Sequence, residues 1–219
     1  MSLTLSSCVL ARGHAVRDVA ASRLTLDACW TEQGPADGAR PVIERVGVQA
    51  LTVKRSSMIG AILRDVTIDG LRGDSFSVFL HANEYTRVTL RGKIPTLVIG
   101  AGHIDPALQP SFQAAIREAE ERAEWTLDIS EAIGAVEIRG YRADRLRLNT
   151  DRHGVVRRST VNRLGWTEDD VRQSGFAVAI KLMLDGGWDD AILVANPLDR
   201  RYDQKLEALH RLKGEGIAE

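Results

Sequence analysis

The stretch LRDVTIDGLRG, Leu63 to Gly73, returns in altered form as YTRVTLRG, Tyr85 to Gly92. Both alternate apolar and polar residues, the period-2 mark of a strand with one face buried. Superposing them sets Val66 on Val88, a step of 22 residues. A strand type that recurs at such a step, with other strands between, implies a chain that keeps returning to the same place. Leu24, 42 residues before Val66, together with Val136 and Leu146, reads as further echoes, and Val66, Ser77 and Val88 step by 11 and 11. The register predicts Val66 and Val88 as stacked, buried neighbours, with Thr67 and Thr89 side by side outside.

Similar short segments fill the first three-quarters of the chain, at 22–29, 45–53, 64–70, 74–80, 86–92, 95–100, 125–130, 135–140 and 144–149. Many end in Gly, Asp or Asn, which adopt turn conformations at low steric cost. Spacing near 21–22 suits a parallel solenoid, whereas strands every 8–12 residues also suit an antiparallel sandwich or barrel. On RDVTIDG, TRVTLRG and DRLRLN, over roughly residues 20–160, the chain resembles the right-handed parallel β-helix proteins. The resemblance implies a fold and no catalytic residue.

Two segments break the strand period. In 105–125, Phe112, Ala115, Ile116, Ala119 and Ala123 make one helical stripe, with Asp105 and Pro106 as a helix start and Glu118 and Arg122 as an i,i+4 pair. The three alanines in this stripe predict shallow packing. From Trp166 onward the period is helical. Thr167 and Asp170 open a capping box, a single buried helix runs to Leu184, and Asp185-Gly186-Gly187 ends it. Residues 191–197 are a strand or a helical turn, and a last helix begins near Leu198. The expected fold is therefore α+β: a β-rich, solenoid-like body over residues 1–163 with an inserted helix at 106–124, and a C-terminal helical cap over 164–219. The loop at 31–41, with two Gly and two Pro, reads as a mobile excursion.

Composition narrows the function classes. The 29 basic and 30 acidic residues nearly cancel, which argues against a broad nucleic-acid footprint. No apolar run approaches the roughly 18 residues of a membrane helix. The first residues lack the basic region of a signal peptide, and Cys8 and Cys29 read as reduced thiols of a cytoplasmic protein.

Chemistry-bearing residues are few. His81, Asn83, Glu84 and Tyr85 follow a strand, where a polar cluster could hold a sugar or an acid–base pair. The preferred local reading is a polar turn. His103 and Asp105 would share a strand face, as an oriented imidazole requires, although Asp105 is wanted as a helix cap. The segment 149–159, with Asp151, Arg152, His153, Arg157 and Arg158, reads as an anion site or, by preference, a charged edge strand. No metal site, cofactor or phosphate-loop motif is expected. Thr67, Thr89, Glu137 and Arg147 would line one face of the solenoid as an interaction surface. The function these signals favour is a non-catalytic binding protein, with another protein or a second copy as partner. The alternative is an enzyme acting on a saccharide or other polar small molecule.

Overall fold

The computed structural model describes residues 1–73 and 78–219. The chain winds in successive turns, each laying strands on the previous ones. The first turn holds β1 (Ser2–Ser6), β2 (Val9–Leu10) and β3 (Ala15–Ala21), and the second β4 (Arg23–Asp27), β5 (Trp30–Thr31) and β6 (Val42–Val48). β7 (Leu51–Lys54), β8 (Met58–Ile59) and β9 (Ile62–Asp69) make the third. The fourth holds β10 (Leu71–Gly73), β11 (Val78–His81) and the start of β12 (Glu84–Gly100), which runs on into the fifth. Helix α1 (Gln109–Arg122) and β13 (Leu127–Asp128) complete the fifth turn, and β14 (Ala132–Arg139) and β15 (Leu146–Arg147) lie in the sixth.

Every strand pairing within this body is parallel among the described residues. The body is the parallel, solenoid-like arrangement, and the antiparallel sandwich or barrel is not formed. One face stacks β1, β4, β7 and β10, a second includes β8, β11, the end of β12 and β14, and a third includes β3, β6, β9, the start of β12, β13 and β15.

The expected register holds on the third face. Val88 pairs with Val66 and Thr89 with Thr67, and both valines are buried. The full column is Val19, Val46, Val66, Val88, Leu127 and Leu146. Leu146 thus belongs to it, but Leu24 and Val136 do not: Leu24 pairs with Leu51 on the first face and Val136 with Leu97 on the second. Ser77, the midpoint of the 11-residue steps, and the start of the 74–80 segment lie outside the described residues.

A shared kink explains the motif. Asp18, Arg45, Asp65 and Arg87 occupy one column of the third face, and all are left-handed, with φ of 56°, 53°, 53° and 53°. The kink interrupts strict alternation, so two successive residues, such as Arg64-Asp65, point outward before the next valine turns in. A left-handed non-glycine residue costs about 1–3 kcal/mol. The valine that follows offsets this, since full burial of such a side chain stabilises by about 1.5–3 kcal/mol.

Helix α1 differs from expectation in two respects. It starts at Gln109 with Pro110 in its first turn, and Asp105 does not cap it. The Asp105 carboxylate accepts from Ala107 N at 2.9 Å and closes the preceding turn instead. Nor is its packing shallow, because Phe112 and Ile116 are fully buried. Phe112 fills the space over Gly60 (φ +72°), where a Cβ would lie 2.9 Å from the ring. Glu120, also buried, accepts from Arg142 N at 2.8 Å and so ties α1 to the sixth turn.

Beyond the body lie β16 (His153–Arg157), α2 (Arg158–Leu164), α3 (Glu168–Gln173), α4 (Ala177–Gly186), β17 (Asp190–Val194) and α5 (Tyr202–Gly214). β17 pairs antiparallel with β14 and β16, extending the second face. This strand pair separates two apolar clusters by simple alternation: Val155 and Ile192 face the solenoid core, while Val156 and Leu193 face a second core of C-terminal helices. The Thr167–Asp170 capping box forms, and Gly187 ends α4. The single helix expected from Thr167 to Leu184 is broken instead at Ser174-Gly175-Phe176. Gly175 has φ +83°, and a Cβ there would come within 2.8 Å of the Ala208 methyl. The last helix begins at Tyr202 rather than Leu198, because Asn196 and Asp199 side chains cap two turns ahead of it, accepting from Leu198 N and Arg201 N at 2.9 Å each.

Candidate functional site

Two sets of polar residues stand out, one inside a corner of the solenoid and one outside on its third face. The inner set forms where the chain passes from the second face to the third. His81 ends β11, Ala82 and Asn83 make the corner, and Glu84 and Tyr85 begin β12. The stretch is therefore not an exposed loop: Asn83, Glu84 and Tyr85 are all buried. A buried amide must find partners or lose its hydration without return. Asn83 Oδ1 accepts from Ala61 N at 2.8 Å, and its Nδ2 donates to Met58 O at 3.2 Å and Tyr85 Oη at 3.3 Å. Tyr141, from the sixth turn, donates to Asn83 O at 2.7 Å. Burial pushes both tyrosine hydroxyls well above their ordinary pKa.

Arg40, at the end of the 31–41 loop, completes this corner. It is 5 % exposed, forms a salt bridge with Glu84, and donates from Nε to Gly60 O at 2.7 Å. Its guanidinium lies 4.9 Å from the centre of the Phe112 ring, against which His103 also stacks at 4.7 Å. Burial lowers the Arg40 pKa, opposed by the Glu84 charge. The Glu84 carboxylate is thus already matched by a fixed cation.

His103 and Asp105 do not form the carboxylate–imidazole pair that a shared strand face would give. They lie in the turns before α1, and His103 Nδ1 accepts from the backbone N of Asp105 at 3.0 Å. His81 is half-buried, its pKa lowered first by burial and then by Arg139. Asn83, Glu84, Tyr85 and His103 therefore gather with Arg40 and Phe112 in one packed corner. Asp105 stays exposed in the turn and uses its carboxylate locally. Sequence reading missed Arg40, whose one local signal is a charged residue set directly before Pro41 and the apolar start of β6.

The outer set is the third face. Thr67, Thr89, Asp128 and Arg147 stand in one column, continued outward by Gly47. Glu137 is elsewhere: it pairs with Val98 on the second face and accepts from Arg139 at 2.6 Å. Across the valine column, the kinked row alternates in charge. Arg45 bridges Asp18 at 2.6 Å and Arg87 bridges Asp65 at 2.6 Å. The adjacent row begins Arg17, Glu44, Arg64, with Arg17 and Glu44 2.9 Å apart. Hydrogen bonds from the partner arginines hold the Asp18 and Asp65 carboxyls below their usual range.

The 149–159 segment divides. His153 is buried, with Nδ1 accepting from Asn149 N, and desolvation together with Arg152 and Lys213 lowers its pKa to about 4. Arg157 is committed to Asp190 and Glu219, and Arg158 to Asp189. β16 is not a free edge, since its other side pairs with the tail at Ala218. No helix of the described residues is long and apolar enough to cross a membrane. Compared with family models, curated proteins and solved structures, the chain matches none.

Proposed function

We propose that the chain is a non-catalytic binding protein of the parallel β-helix kind, a scaffold, inhibitor or immunity-type partner that offers its third face to another protein in the cytoplasm. The observation that carries this reading is the order of that face. The row Asp18, Arg45, Asp65, Arg87 alternates in sign at rungs about 4.8 Å apart. Beyond the valine column runs the polar row of Thr67, Thr89, Asp128 and Arg147. Charges held by a backbone ladder are preorganised, and such complementarity sets specificity and association rate more than raw affinity. Alternating signs suit a protein surface better than a phosphate backbone, which calls for basic excess.

The second reading is an enzyme working on a saccharide through His81, Glu84, His103 and Asp105. Glu84 and His103 share one corner, which favours it; the burial of Glu84 against Arg40 and the places of His81, stacked on the exposed Phe79, and Asp105, in the turn before α1, oppose it. A photo-crosslinking residue in place of Thr89 tests between them. The binding reading expects one stoichiometric protein adduct, lost in the Arg45→Glu/Arg87→Glu variant. Glycoside turnover by the purified chain, abolished by Glu84→Gln without unfolding, would replace it with the enzyme reading.

A further inference from the structure

The first turn leaves its core open. β1, β2 and β3 are each the terminal strand of their ladder, and nothing among the described residues pairs with their outer edges. Side chains that are core in later turns are exposed here. Val16 is 38 % exposed where Leu63 of the same column is 4 %, and Leu5 is 39 % exposed where Val53 is 8 %. At the opposite end β17 and β16 continue the second face, and the C-terminal helices pack against them. An edge strand left open is ordinarily protected by charge, proline or a bulge. β1, Ser-Leu-Thr-Leu-Ser, has none of these.

The sequence of β1 points to what covers it. SLTLS reads the same in both directions. Antiparallel pairing with the β1 of a second copy about Thr4 sets Ser2 on Ser6, Leu3 on Leu5 and Thr4 on itself. That self-match is what an isologous contact requires. A two-fold axis perpendicular to the winding axis maps one face of a three-sided turn onto itself and exchanges the other two. With β1 on the axis, exposed Val9 of β2 comes over the Val16 side of β3. The charges of β3 do not oppose the contact, because Arg17 and Asp18 are already matched to Glu44 and Arg45 within the chain. One turn, residues 2–21, approaches the roughly 20–30 residues a side of a standard interface.

We propose that two copies of the chain join head to head through the outer edge of the first turn, β1 antiparallel to β1. Because the contact is isologous, it closes on itself and gives a dimer rather than a filament. The proposal is independent of the reading of the third face and stands or falls separately.

Sedimentation equilibrium on the 219-residue chain tests it. The expected mass is twice 24.0 kDa. Thr4→Lys places two ammonium groups on the axis and should raise the dissociation constant by about 100-fold or more, with an unchanged circular dichroism melt of the monomer. Val178→Lys, at an exposed apolar residue of α4, should leave the dimer intact. In a Cys8→Ser/Cys29→Ser background, Thr4→Cys should oxidise to a covalent dimer through that one residue. A chain that stays monomeric at every concentration, a dimer broken by Val178→Lys but not Thr4→Lys, or a mass growing beyond two copies would each overturn it.

Discussion

Two kinds of ion pair link turns of this solenoid, and they differ in what surrounds them. Arg40 and Glu84 meet inside a corner, where the guanidinium also donates to Gly60 O, Ala61 O and Ala82 O and lies over the Phe112 ring. Asp18–Arg45 and Asp65–Arg87 meet outside, in water. A buried pair is desolvated, so removing one member strands the other; an exposed pair is screened, and its loss is absorbed by solvent. The inner pair is therefore a matter of stability, with the Glu84 carboxylate matched by the Arg40 guanidinium. The outer pairs add little stability, which leaves their pattern available for recognition.

The sharpest way to break this contrast is Arg40→Ala. It should cost about 3–5 kcal/mol in chemical denaturation, because Glu84 is left buried without its cation. Arg40→Met combined with Glu84→Leu should recover most of the loss, since an apolar pair of similar shape carries no desolvation penalty. A free energy near wild type for Arg40→Ala alone would show that water reaches the corner.

Next in size is a pH effect at the far end of the molecule. His153 is buried neutral, with a pKa lowered to about 4 from 6.5. The unfolded chain binds the proton more readily, so stability is complete above about pH 6.5 and declines as pH falls toward about 4. The contribution is about 3 kcal/mol, and denaturation midpoints across that range should show the slope in the wild type and a flatter one in His153→Gln. Asn83→Ala follows, at about 1–3 kcal/mol, because it strands Ala61 N inside the corner. Smallest of all, Asp65→Asn should leave the denaturation midpoint unmoved while weakening any partner captured at Thr89.

The same contrast separates what the sequence revealed from what it hid. The Val66–Val88 pairing was readable because those turns are close in length and share residue type. The earlier members of the column, RDV at 17–19 and ERV at 44–46, carry the same signal: two outward residues before an inward valine. A strict repeat length obscured them, because Val19, Val46 and Val66 are 27 and then 20 residues apart. From Val88 to Leu127 the step is 39, lengthened by α1. Leu24 and Val136 match the motif in residue type only, and a three-faced turn offers three columns in which a leucine or valine can stand. At the corner, the polar run from His81 to Tyr85 was visible as a cluster, but its burial was not. That depends on Arg40, brought from a loop 44 residues away by nothing in its own neighbourhood. The break in the expected Thr167–Leu184 helix was marked by Ser174-Gly175 and overridden by the apolar run around it.

The corner pair, desolvated, should hold the fold, and the outer rows, screened by solvent, should not. Double-mutant cycles on Arg40–Glu84 and on Arg87–Asp65, measured by equilibrium denaturation under one set of conditions, test it most directly. The expected coupling is several kcal/mol for the first, insensitive to salt, and none resolvable for the second at physiological ionic strength. Comparable coupling in the two pairs would contradict it.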